Sequence, residues 1–163
     1  MSRLRPTPGL FSLSVIVSLL LGLMPLPVAL LSAKPYWIAL VLIYWLLEAP
    51  DRAGLGTAFL IGLAADVVFG TLIGEQALRL TIIAFLVLRF RARLRFFPLS
   101  QQAFAVFALL LNDRVVTLGI RAFSGEGLPP LTFWLSPAVG TLLWPWLFLL
   151  LDGLRLRLRA RDN

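Results

Sequence analysis

Six apolar runs follow one another along this chain, at 10–32, 35–50, 54–73, 76–90, 101–123 and 132–154, and only short connections separate them. An apolar segment of about 20 residues crosses a bilayer as a helix. Lipid offers no partner to backbone N–H and C=O groups, so a span is either a helix or a strand of a closed barrel. Barrel strands alternate apolar and polar side chains, and these runs do not. The expectation is therefore an all-α integral membrane protein: a compact bundle of about six transmembrane helices, with 1–163 as a single transmembrane domain. Composition agrees, since 60% of the 163 residues are hydrophobic and 14% charged. Soluble domains carry about 25% charged residues.

Pro25 and Pro27 should kink or end the first span, and the second is short enough to cross with little tilt. Arg3 and Arg5 precede an apolar run, as in a signal peptide. That run is long for one, and no clear A-x-A site follows it, so no cleavage is expected. Orientation follows from the basic residues. With the N-terminus inside, the inner segments hold Arg3, Arg5, Arg52, Arg89, Arg91, Arg93, Arg95, Arg155, Arg157, Arg159 and Arg161, while the outer segments hold Lys34 and Arg121. This asymmetry predicts both termini in the cytoplasm. It also accounts for the net charge of +7 without nucleic acid, which is not an expected partner. The chain has no Cys and no His. It shows no glycine-rich phosphate loop, no G-x-S-x-G and no metal constellation. No enzyme activity, metal or cofactor is expected.

Three features call for explanation. Gly54, Ala58, Gly62, Asp66, Gly70 and Gly74 recur every fourth residue, which stacks them on one helix face. Small residues there let a second helix approach closely. Gly54, Ala58, Gly62, Gly70 and Gly74 are thus expected to pack the third span into the centre of the bundle. Asp66, Arg79, Asp113 and Arg114 lie inside spans, at similar distances of about 7–14 Å from the outer ends at 1.5 Å per residue. A single charge costs about 2.5–3.5 kcal/mol at a helix centre. Pairing is expected, with Asp66–Arg79 and Asp66–Arg114 as the candidates. Lastly, "RFRARLRFFPL" (89–99) places Arg89, Arg91, Arg93 and Arg95 in a cytoplasmic basic loop suited to anionic lipid or a cytoplasmic protein. The tail "LRLRLRARDN" (154–163) reads as a stop-transfer flank.

Three stretches carry a resemblance: "KPYWIALVLIYWLLEAPDRAGLGTAFLIGLAADVVFGTLIGEQAL" (34–78), "RLRFFPLSQQA" (93–103) and "GTLLWPWLFLLL" (140–151). Through them, and in particular Pro35, Trp37, Pro50, Arg52, Gly62, Asp66, Gln102 and Trp144, the chain resembles the bacterial rod shape-determining MreD family. Asp51 and Ser100 depart from the pattern, standing where relatives often carry His and an aromatic residue. The resemblance implies a non-enzymatic scaffold of the cell-elongation complex in the bacterial inner membrane. The implied partners are an MreC-like bitopic membrane protein, an MreB-like actin homologue and the elongation peptidoglycan synthase complex; anionic lipids are expected from the arginine segment itself. It also implies a fold like that of the substrate-binding subunits of energy-coupling-factor vitamin transporters. The competing expectation, from the intramembrane charges, is a small-molecule-binding or transporter subunit with a polar intramembrane site.

Overall fold

A computed structural model describes residues 8–161. They form α1 (Pro8–Leu23), the short α2 (Val28–Leu31), α3 (Trp37–Glu48), α4 (Leu55–Phe69), α5 (Glu75–Leu94), α6 (Leu99–Phe123), a 3-10 turn (Leu131–Trp134) and α7 (Leu135–Arg161). There is no strand among the described residues. Leu99–Phe123 and Leu131–Arg161 are each long and apolar enough to cross a membrane, whereas Gly9–Leu23, Trp37–Glu48 and Leu55–Phe69 are apolar but shorter.

Several boundaries differ from those expected. The first span ends at Leu23 because Pro25 and Pro27 follow, and α2 is a separate turn. The fourth runs on to Leu94 and the sixth to Arg161. Arg89, Arg91 and Arg93 are therefore helical, Arg95 is the C-cap of α5, and the basic segment is not a loop. The Leu/Arg tail is likewise the continuation of α7 as far as Arg161. Leu and Arg are both strong helix formers, and their alternation does not outweigh that.

The centre of the bundle is α3, not the third span. Ile38 to Leu47 are all at most 4% exposed, and α1, α5 and α7 pack around them. A helix apolar on every side has no face for water and is most stable when enclosed. Trp45 and Trp144 belong to this interior rather than to an interfacial belt. Each is fully buried, and each indole finds an acceptor, as buried Trp N–H groups require. Trp45 Nε1 donates to Ser14 Oγ at 2.8 Å. Trp144 Nε1 donates to Gln102 Oε1 at 3.2 Å, and Gln102 Nε2 in turn donates to the Leu94 carbonyl.

The expected small-residue ladder divides in two. Ala58 and Gly62 are buried, and a Cβ at Gly62 would stand 2.3 Å from Ala77 Cα on α5. Gly54 is instead the N-cap of α4 and Gly70 its left-handed C-cap, at φ 65°. Gly74, at φ 99°, is the N-cap of α5. A spacing of four has meaning only while the helix lasts, and α4 ends at Phe69. Away from α5, α4 exposes Phe59, Leu60, Val67 and Val68.

Successive long helices alternate in direction, as cross-helix bonds show at both ends. Tyr36 meets Gln76 and Arg79 meets Asp113 at one end. Arg91 meets Leu47 and Arg155 meets Glu48 at the other. The second end gathers Arg52, Arg89, Arg91, Arg93, Arg95, Arg155, Arg157, Arg159 and Arg161. Arg3 and Arg5 lie outside the described residues.

Candidate functional site

The α4–α5 turn, "FGTLIGEQ", builds one end of the polar cluster. The first turn of any helix leaves N–H groups without intrahelical partners. Asp66, one turn before the end of α4, supplies acceptors for those of α5. Its Oδ2 accepts from Gly74 N at 2.8 Å and its Oδ1 from Gln76 N at 2.8 Å and Thr71 Oγ1 at 2.7 Å. Oδ2 also lies 3.5 Å from Ala77 N. A carboxylate at the positive end of a helix is favoured by the helix dipole as well. Asp66 is thus a cap delivered from the preceding helix.

Asp66 does not pair with Arg79 or Arg114, contrary to expectation. Arg79 reaches across to α6, where Nε and Nη2 donate to the two carboxylate oxygens of Asp113 at 2.8 and 2.7 Å. This two-pronged geometry is the strong form of the guanidinium–carboxylate interaction. Its Nη1 lies 3.8 Å from Glu75, one turn before it on α5. The guanidinium stacks 4.5 Å from the centre of the Tyr36 ring, and the Tyr36 hydroxyl donates to Gln76 Oε1. Depth alone suggested Asp66 for Arg79. The partner is set by rotation about the helix axis, and Asp66 points along its own chain to the nearer α5 backbone.

Arg114 stands apart from this pair. Its guanidinium lies 4.5 Å from the centre of the Phe133 ring, beside Arg121, which is ion-paired with Glu126 at 2.8 Å. Arg114 also lines a cavity of about 230 Å³ with Lys34, Tyr36, Gln76 and Arg79. Lys34 Nζ donates to the carbonyls of Gly22, in the last turn of α1, and Met24, just beyond it. Tyr36, Gln76, Glu75 and Lys34 complete the site and were not singled out by sequence. Glu75 and Lys34 sit at run ends, where a charge needs no partner, and nothing in the spacing ties Tyr36 to residue 76.

Chemically, the cluster joins helix ends. Asp66 fixes α4 to α5, Arg79–Asp113 fixes α5 to α6, and Tyr36–Gln76 fixes α3 to α5. Among the described residues, no group of three or more acids could hold a metal ion. Asp66→Ala should therefore act on the α5 start. Two to three N–H groups lose their acceptor, at about 1 kcal/mol or more for a lost cap. Amide exchange at Gly74, Gln76 and Ala77 should accelerate while that of α6 stays as it was. Unchanged exchange at those three amides would mean that the cap is dispensable.

The family model described as rod shape-determining protein MreD matches residues 5–154. A rod shape-determining protein MreD of Haemophilus influenzae is 29% identical over 144 residues, covering 88% of this chain and 89% of the relative. No solved structure matches the chain.

Proposed function

Because the chain belongs to the rod shape-determining MreD family, a membrane family with a role in cell shape, we propose that it is a multi-pass scaffold of bacterial cell elongation. On this reading it crosses the inner membrane six times, with α1, α3, α4, α5, α6 and α7, and both termini are cytoplasmic. It performs no chemistry. It holds an MreC-like bitopic protein by helix-to-helix contact within the bilayer, and through it an MreB-like filament and the peptidoglycan synthase complex.

One observation carries the reading: the buried acids of the candidate site are taken up within the bundle. Asp66 bonds to backbone N–H groups and Asp113 to Arg79, which leaves the outer apolar faces as the surface on offer. Phe59, Leu60 and Val67 on α4, Phe104 on α6 and Leu142 and Trp146 on α7 are all exposed.

Function is tested in a rod-shaped bacterium depleted of its own relative. Cells supplied with this chain should stay rods, and cells that round up despite normal accumulation would contradict the proposal. Topology is tested with single cysteines and an impermeant maleimide on spheroplasts. Ser124→Cys, beyond α6, should be labelled directly, and Phe96→Cys, beyond α5, only after permeabilisation. The reverse pattern would invert the bundle.

A second reading rests on Arg114 and Lys34, which face the 230 Å³ cavity with no carboxylate of their own. It makes the cavity a site for a small anion. Changing both to Gln should then abolish function without lowering accumulation, whereas the scaffold reading expects shape to persist.

A further inference from the structure

At the arginine-rich end, α3, α5 and α7 enclose a second cavity, of about 220 Å³. Two arginine pairs, each one helical turn apart, line it: Arg91 and Arg95 from α5, Arg155 and Arg159 from α7. The carboxylates in the lining are Glu48 and Asp51, and Asp152 lies against Arg155 from outside it, so four positive charges meet three negative ones. Glu48 is already held by Arg155 Nη2 at 3.0 Å, and the same nitrogen lies 3.0 Å from Asp152. Arg91 Nε donates to the Leu47 carbonyl at 3.0 Å, at the negative end of α3, where a cation is favoured. These contacts fix the walls of the cavity.

They leave a surplus of donors. Arg155 Nε and Arg159 Nε are both buried without a hydrogen-bond partner. A buried donor left unmade costs about 1–3 kcal/mol, and more when charged. Converging guanidinium groups also repel one another unless an anion lies among them. An acceptor with several oxygens and negative charge removes both penalties, and the planar fork of arginine matches phosphate.

We propose that this cavity holds a phosphate group, that of an anionic phospholipid headgroup at the same membrane face. The placement favours a lipid. The cavity lies where α3 and α5 end, and Phe96, Phe97 and Leu156 around that end are exposed. Basic pockets between helix ends are a recurrent mode of headgroup recognition. The lipid source, though not the phosphate chemistry, rests on the membrane reading given above.

The test uses the full chain purified in neutral detergent. Native mass spectrometry with added phosphatidylglycerol or phosphatidylcholine reads lipid retention, and thermal unfolding with millimolar inorganic phosphate reads the free anion. Retention of phosphatidylglycerol over phosphatidylcholine is expected, with a loss of fivefold or more in the double variant Arg95→Gln/Arg159→Gln. The double variant Arg157→Gln/Arg161→Gln removes the same charge from exposed positions outside the cavity and should retain lipid as the parent does. Stabilisation by inorganic phosphate alone, absent in Arg95→Gln/Arg159→Gln, would support the phosphate site with a soluble source. Equal losses in the two double variants, or no response in either arm, would overturn the proposal. Binding of a Glu-rich peptide in place of both would do the same. Binding in detergent does not depend on which way the bundle crosses, so its failure leaves the topology and scaffold readings standing.

Discussion

Gly62→Leu should leave almost no folded protein in the membrane, and even Gly62→Ala should be strongly depleted. A Cβ at residue 62 would lie 2.3 Å from Ala77 Cα, 2.6 Å from Ala77 N and 2.8 Å from the Gln76 carbonyl oxygen. All three are backbone atoms on the facing helix, so no rotamer change relieves the clash. Inserting a methyl group into an ordinary packed core costs about 1–3 kcal/mol. Here α4 must part from α5, and the cost should exceed that range. Parting them also draws Asp66 away from the N–H groups it accepts from. Gly56→Ala is the control, because nothing lies within 4 Å of its added Cβ. Gly70→Ala should be affected for another reason. Its surroundings are open, but φ is +65°, and an L side chain in that conformation costs about 1–2 kcal/mol. Accumulation by immunoblot and unfolding temperature in detergent should rank the variants Gly56→Ala, Gly70→Ala, Gly62→Ala, Gly62→Leu from best to worst. Normal levels of Gly62→Leu would show that α4 and α5 are not in contact there.

The Arg79–Asp113 pair should give the second large effect. Both side chains are buried, and removing one partner of such a pair costs about 3–5 kcal/mol, because the other charge is left uncompensated. Arg79→Gln and Asp113→Asn should each lower the folded amount severely. The double variant should recover much of the loss, since a neutral Gln and Asn leave no stranded charge. Combining Arg79→Gln with Asp66→Asn should bring no such recovery, because Asp66 serves the start of α5. A double-mutant cycle in detergent separates the two cases. Recovery in the 66/79 combination and not in 79/113 would reverse the assignment.

The sequence made the class of fold plain and left its interior hard to read. Uniform apolar runs and the arginine distribution pointed to a helical membrane bundle and to one basic end. The position of α3 at the centre was written in the same run, since residues 38–47 include no charged residue and offer no polar face. Its 12-residue length and the stronger small-residue pattern of α4 mask that position in the sequence. That pattern was true where helix persists, at Ala58 and Gly62. It failed at Gly70 and Gly74, where glycine serves the backbone conformation. The buried charges were legible as a set that must be compensated. Which acid meets which base was not, because spacing gives depth along an axis and says nothing of rotation about it. At the basic end, the apolar run stops at residue 90, which suggests a loop beyond it, yet arginine is a good helix former and the helix goes on. The cavity between α3, α5 and α7 needs residues more than a hundred positions apart, and no local pattern announces it.

Whether the chain acts through its outer faces or its cavity is decided most directly by photo-crosslinking in growing cells. A photoreactive amino acid is placed in turn at Leu60, Val67 and Leu142, all exposed on the bundle surface. The scaffold account predicts that at least one position captures the MreC-like protein, identified by mass, in cells that remain rods. It also predicts that Lys34→Gln/Arg114→Gln leaves both capture and shape intact. No capture from any of these faces, with shape lost in the fully accumulated Lys34→Gln/Arg114→Gln variant, would contradict it and assign the function to the cavity.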